Sequence, residues 1–482
     1  MLVRQGSISS EEWIGSSNRG ISPGGAEMAK ELIKAVLLGG VYFVGCPLLV
    51  VAFRRQPYLQ RWAFALMCFM VIGGILGPME FGLTLNSVEW YRGHAKGFYF
   101  YFHTIIAIAL IIAARMEKDS SFRWLPPGMV LYLIHCFLCA LSIVNAPVKE
   151  YVLMACHKSV FFSVFLVAAY NFLKSEEDIG FFLQIMASVM IFELLVVLKL
   201  RYLDGMYQVR GTFEHQNPLS MFAIMIGCLL MVVGLGPDIR GRNLMLAGYV
   251  ACWGNVVCAL SRAGLAVFAA ASVGNIVICL IEQPTKRRLM TLLTGALGGI
   301  VVLILILDTL VARFGQHGNQ ESADTREVMK EMCRAMSQDY FLGVGWNNYV
   351  HVANPPFPYC EIWWDYERGR GMRVDEERQI GAVESHYYLF LAENGVLGLA
   401  SYLVFIGVAL WRNVRGFFAF GKRPARWMCY GIACGCFVNY VQSGLERVLT
   451  QPRNLALWML LLGVTARLEM IRRSERKARL KR

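Results

Sequence analysis

Three arginines and one histidine are the residues of this sequence best suited to do chemistry. Arg210 lies in Val209-Arg210-Gly211-Thr212-Phe213-Glu214-His215-Gln216-Asn217-Pro218 and Arg262 in Leu260-Ser261-Arg262-Ala263-Gly264. Arg326 follows Asp324-Thr325, and His386 sits in Glu384-Ser385-His386-Tyr387-Tyr388. Two or three guanidinium groups can clamp a pyrophosphate through paired, charge-assisted hydrogen bonds and stabilise charge developing on a departing diphosphate. An imidazole beside them can take the proton from an attacking hydroxyl near neutral pH. Each residue also has a plainer reading. Arg210 can snorkel from a polar loop closed by a helix cap at Asn217 and a first-turn Pro218. Arg262 can be the interfacial residue of a short hairpin. Arg326 can be solvated at the start of a helix capped by Asp324 or Thr325, and His386 can be an inert helix-terminal residue. Arg262 favours the functional reading, because an arginine so tightly flanked by apolar chain is expensive against lipid. The outer loops hold no cluster of aspartates of the kind that grips a divalent ion against a nucleotide sugar, so the scheme is expected to use neither metal nor cofactor.

The elements that position these residues are expected to be membrane helices. The 482 residues are 56% hydrophobic and only 17% charged, with a mean hydropathy of +0.47. A soluble chain of this size needs more charge to cover its surface, so lipid is the expected solvent. The formal net charge of +13 does not point to nucleic acid, because the basic residues fall in short blocks between apolar stretches and form no basic soluble domain. Most of the 14 cysteines lie in apolar stretches and read as small hydrophobes. Cys333 and Cys360, in a polar loop, are read either as a pair or as two free thiols.

Apolar runs recur at about 34–53, 62–78, 99–114, 127–145, 151–173, 179–199, 218–235, 243–260, 263–281, 289–311, 387–411, 427–446 and 454–468. They predict an all-α, polytopic membrane protein with about 12–13 transmembrane helices. Basic clusters at Arg115/Lys118/Arg123, Arg240/Arg242, Lys286/Arg287/Arg288, Arg412 to Arg426 and the tail from Arg472 are all assigned to the cytoplasm. The loops at 200–217, near 261–262, at 312–386 and at 447–453 then lie on the other side. Thirteen spans place the N-terminus outside, a parity that one fewer early span corrects. Four regions follow: a polar N-terminal segment (1–30), N-terminal transmembrane helices (31–200), a candidate catalytic region (201–468) that includes a long loop on the non-cytoplasmic side (312–386), and a basic cytoplasmic tail (469–482).

In the long loop, Asp324 to Tyr340 reads as an amphipathic helix with Val328, Met329, Met332 and Met336 on one side. Gly343 and Gly345 mark a turn. Pro355 to Tyr359 with Trp363, Trp364 and Tyr366 suits a membrane-interface belt or the stacking of sugar faces. No internal repeat suggests the inverted halves of a transporter.

The ordered set Arg-Gly-Thr-Phe-Glu-His-Gln-Asn (210–217), Ser-Arg-Ala-Gly (261–264), Thr-Arg and Phe-Leu-Gly-Val-Gly (325–326, 341–345) and Ser-His-Tyr-Tyr-Leu…Glu-Asn-Gly-Val-Leu-Gly (385–398) resembles the O-antigen ligase family. That family also includes O-antigen polymerases and O-linked protein oligosaccharyltransferases. The likeness covers roughly 200–410. It implies a fold of about twelve helices of the GT-C-like kind, in a bacterial inner membrane with the active site facing the periplasm. It also implies metal-independent, inverting transfer from an undecaprenyl-pyrophosphate-linked glycan to a hydroxyl-bearing acceptor. By that resemblance Arg262 and Arg326 match donor-pyrophosphate ligands, His386 matches the general base, and Arg210 belongs to a shared motif whose role is less settled. Ala263 stands where glycine is common, and Tyr387 where asparagine is common. The other readings are a protein O-oligosaccharyltransferase, a transporter of lipid-linked glycans and a membrane scaffold.

Overall fold

Backbone groups in hydrocarbon have no water to bond, so each apolar run closes its own hydrogen bonds as a helix. The structure is a computed structural model that describes residues 25–72, 82–117, 121–236, 239–282, 284–286, 288–290, 292–293, 295, 311 and 318–480. In chain order it contains α1 (Met28–Arg55) and α2 (Tyr58–Val71), then a hairpin of β1 (Gly82–Leu85) and β2 (Phe98–Tyr101). There follow α3 (Phe102–Met116), α4 (Met129–Val144), α5 (Lys149–Phe172), α6 (Glu176–Leu203), α7 (Gln216–Leu235), α8 (Arg242–Ala259) and α9 (Arg262–Glu282). The last elements are α10 (Gly318–Asp339), α11 (Tyr349–Val352), α12 (Cys360–Gly369), α13 (His386–Ala419), α14 (Pro424–Gln442) and α15 (Pro452–Leu480).

Among the described residues, seven helices are long and apolar enough to cross a membrane: α1, α5, α6, α7, α9, α13 and α15. The shorter apolar helices α2, α3 and α4, together with α8 and α14, occupy the other expected runs. The run at 289–311 falls largely outside the described residues. The chain is thus an all-α, multi-pass membrane protein.

Packing sorts the helices by depth. α7 is the centre, buried along its whole apolar window, and packs on α8, α9 and α14. α1 is peripheral: Phe43 is 84% exposed, and Leu32, Val36 and Leu48 are also open. An apolar face of that extent is tolerated only against lipid or a partner. The turn before α6 is set locally. Ser175 accepts from Asp178 N while Asp178 Oδ2 accepts from Ser175 N, each at 3.1 Å, a reciprocal capping box.

A second apolar core lies apart from the bundle. It gathers Met332, Cys333 and Met336 of α10 with Val344, Tyr349, Tyr359, Cys360 and Val383 of the long loop. The expected amphipathic helix therefore forms, and its methionine stripe is what the loop folds against. It begins earlier than expected, at Gly318, so Arg326 lies within the helix and not at a start capped by Asp324 or Thr325. Cys333 and Cys360 are both free and buried. Tyr91 and Ala95, from the segment between β1 and β2, belong to the same core. That segment is pinned by Asn347, whose side chain accepts from Ala95 N at 3.1 Å and donates to Ala95 O at 2.7 Å.

Candidate functional site

The motif at 210–217 is shaped by a buried carboxylate. Glu193 of α6, fully buried, accepts from Thr212 N at 2.8 Å and from Thr212 Oγ1 at 2.9 Å. Gly211 has φ +58°, and a Cβ there would lie 2.0 Å from Glu193 Oε1. Only glycine meets both demands. Arg453, at the start of α15, donates to Thr212 O. The turn opens with Phe213 N donating to Arg210 O at 3.0 Å. The Arg210 side chain is exposed and, among the described residues, makes no ion pair.

The helix after this turn begins at Gln216, and its cap is His215, whose Nδ1 accepts from Asn217 N at 3.4 Å. The expectation of Asn217 as the cap is corrected by that earlier start, while Pro218 falls in the first turn, as expected. Asn217 turns its side chain elsewhere. Its Nδ2 donates to Glu446 Oε1 at 2.7 Å, in the turn between α14 and α15.

Glu446 Oε1 also accepts from Arg326 Nη2 at 3.4 Å. Arg326 Nε donates to Glu384, two residues before His386. Three segments that are far apart in sequence (Asn217, Arg326 and Glu384) thus meet on one turn. Arg447, half-buried beside Glu446, is held below the usual guanidinium range by burial, opposed by the charges of Glu393, Glu384, Glu446 and Glu214. Burial pushes the Glu446 carboxyl up to about 7, with Glu384 adding to the rise and Arg326, Asn217 and Arg447 opposing it.

His386 is the first residue of α13, after Ser385 in extended conformation. Its N–H donates to Ser443 O at 2.9 Å, which ties the start of α13 to the end of α14. The ring is buried among Phe390, Tyr402 and Tyr387, with centroids 4.6, 5.1 and 6.3 Å away. Both ring nitrogens are buried without a hydrogen-bond partner among the described residues. Buried polar atoms are normally satisfied, so two unused nitrogens on one ring are notable. Glu384 does not orient this ring; its carboxylate is on Arg326. Two further histidines, His94 and His135, lie within electrostatic range of the first. The Nε2 of His94 is 3.1 Å from Glu393 Oε2, and the His94 carbonyl accepts from Lys158 Nζ at 2.6 Å.

Arg262 opens α9 two residues after Leu260, whose φ is +51°, and Ser261 Oγ accepts from Gly264 N at 3.4 Å. Arg262 is half-buried. A Cβ on Gly264 would lie 3.1 Å from Ser220 Cβ, which sets the start of α9 against the first turn of α7. Arg262 therefore shares an end of the bundle with Asn217.

The motifs at 341–345 and 393–395 form a single joint. Val344 N donates to Ala392 O at 2.8 Å, Gly345 N to Glu393 O at 3.0 Å and Val396 N to Phe341 O at 3.3 Å. These bonds are possible because α13 breaks at Gly395, where φ is +64° and ψ −168°.

Reading the sequence missed Glu446, Arg447, His94 and Glu393. Arg447 had a usable signal, since an arginine in an outer loop against apolar chain is the same test that selected Arg262. His94 had none, because nothing local distinguishes it from a loop histidine. A cleft of about 390 Å³ lined by Arg61, Glu176, Phe181, Gln184 and Arg240 contains none of the converging residues.

No curated protein matches the chain. Residues 247–403 match the model of the O-antigen ligase family, a stretch running from inside α8 through Arg262, Arg326 and His386 into α13. Over that stretch this multi-pass membrane protein is similar to the O-antigen ligase family, which coarsely supports a glycan-transferring enzyme in the membrane.

Proposed function

We propose that this chain transfers a glycan from an undecaprenyl-pyrophosphate donor to an acceptor hydroxyl at the periplasmic face of the bacterial inner membrane, inverting the anomeric centre, as an O-antigen ligase or polymerase. The observation that carries this reading is the convergence of Asn217, Arg326 and Glu384 beside the start of α13, where His386 stands with both ring nitrogens unused. Arg326 and Arg262 bind the diphosphate, whose negative charge grows as the anomeric C–O bond breaks and the electron pair leaves with it. His386 takes the acceptor proton while the acceptor oxygen bonds to the anomeric carbon. Its aromatic surround excludes water, which would otherwise compete as acceptor. Arg210, exposed on the same motif as Asn217, meets the outer part of the donor. No step calls for a bound metal, since guanidinium groups supply the positive charge.

The test is reconstitution in liposomes with a prenyl-diphosphate glycan and a hydroxyl-bearing acceptor. His386→Ala is expected to lower transfer about 10²–10⁴-fold, the usual contribution of a general base, with donor binding nearly unchanged. Arg262→Ala is expected to weaken donor binding, and Arg262→Lys to restore only part of it, because an ammonium offers no fork to a diphosphate. Full transfer by His386→Ala, with movement of donor across the bilayer, would favour a transporter instead. Transfer only to polypeptide hydroxyls would make it a protein O-oligosaccharyltransferase.

A further inference from the structure

Arg326 faces two carboxylates. Glu384 is the more open, with its side chain 45% exposed, and Glu446 the more buried, at 15%. The other charged groups around Glu446 are Arg447 beside it, and Glu214 and Glu393 within range of Arg447. His215 of α7's cap is within range of Glu384. A diphosphate arriving at Arg326 brings several negative charges into a site that already holds these carboxylates. Like charges at that distance in a half-buried setting are mutually unfavourable, and one group has to give up its charge or leave. Glu384 can swing to solvent. Glu446 cannot do so easily, because Asn217 and the turn before α15 hold it.

Resting on the donor reading above, we propose that Glu446 is a further residue of the diphosphate site: ionised, it holds Arg326 and Asn217 in place, and it takes up a proton when a diphosphate replaces it on Arg326. The proton comes from solvent. The neutral carboxyl keeps one oxygen to accept from Asn217 Nδ2 and gains an O–H that donates to a phosphate oxygen, so the same side chain serves both states. Burial has already brought the carboxyl to about 7, so protonation near neutral pH is inexpensive. Glu446 therefore positions Arg326 and Asn217 when ionised and meets the diphosphate directly when protonated.

The experiment is calorimetric titration of the purified full chain in detergent with farnesyl diphosphate, a soluble prenyl diphosphate, in two buffers of different ionisation enthalpy. At pH 8 the parent is expected to take up about one proton more per bound diphosphate than Glu446→Gln, the probe's own protons cancelling in the difference. Affinity of the parent is expected to fall about tenfold per pH unit above pH 7 relative to the variant. Glu384→Gln is expected to keep the uptake. Equal uptake by the parent and Glu446→Gln, or loss of uptake in Glu384→Gln instead, would overturn the assignment while leaving the donor reading intact. Failure of the parent to bind the probe at all would overturn both this inference and the donor site.

Discussion

At the scale of single residues, the site is built from groups whose charges are set by their neighbours. Glu446 titrates near neutral pH because it is buried beside Glu384, and Arg326, Asn217 and Arg447 only partly offset this. Its folded value of about 7 lies above the ordinary carboxyl value of 4.5. The folded protein therefore binds this proton more tightly than the unfolded chain does. The resulting stabilisation is complete below the ordinary value and is lost as pH rises through the folded one. Glu446→Gln, which removes that charge, is expected to raise the melting temperature at pH 8 and leave it unchanged at pH 4. Fluorescence-detected size-exclusion chromatography after heating measures this. A variant that melts lower than the parent at pH 8 would show that ionised Glu446 is net stabilising through Arg326.

At the scale of elements, the joint between the long loop and α13 decides where His386 sits relative to Arg326. α13 breaks at Gly395 so that Ala392 and Glu393 carbonyls can accept from Val344 and Gly345. A Cβ on Gly395 would lie 2.0 Å from Phe341 O, at a φ that side chains rarely adopt. Gly395→Ala is therefore expected to cost about 1–3 kcal/mol from backbone strain alone, and to separate the loop from the helix. The expected readout is protease sensitivity of the 340s together with loss of transfer, while the membrane bundle stays intact on gel filtration. Unchanged protease resistance would show that the joint tolerates the methyl group.

At the scale of the whole molecule, the bundle and the lobe carrying α10 to α12 have separate apolar cores, and the proposed donor site lies where they meet. This arrangement fits a lipid-linked substrate, whose tail belongs in the bilayer and whose sugar belongs in water. It also requires one orientation. Single cysteines at exposed positions such as Asp365 and Glu376, in a background with native cysteines replaced, are expected to react with a membrane-impermeant maleimide in intact cells whose outer membrane is permeabilised. Cysteines at Arg415 and Lys422 are expected to react only after lysis. Labelling of both sets from one side would reverse or abolish the assigned topology.

The sequence by itself determined the helical membrane class, the positions of nearly all described helices and the stripe of α10. These follow from hydrophobic runs and their period, which are local properties of the chain. It also marked Arg262, because a charge pressed against apolar chain is costly wherever the fold puts it, and Arg210, Arg326 and His386 as groups at outer membrane boundaries whose types suit diphosphate binding and proton transfer. Only the tertiary structure decided that Glu384 serves Arg326 and leaves the His386 ring alone, that His215 and not Asn217 caps α7, and that Glu446 bridges Asn217 to Arg326. It also decided that the Gly-Val-Gly turn and the Glu-Asn-Gly break are two halves of one joint. Apart from the His215 cap, each of these is a contact between residues tens to hundreds of positions apart. Their pairing depends on how helices pack in depth and rotation, and hydropathy carries no information about which buried polar groups will face one another.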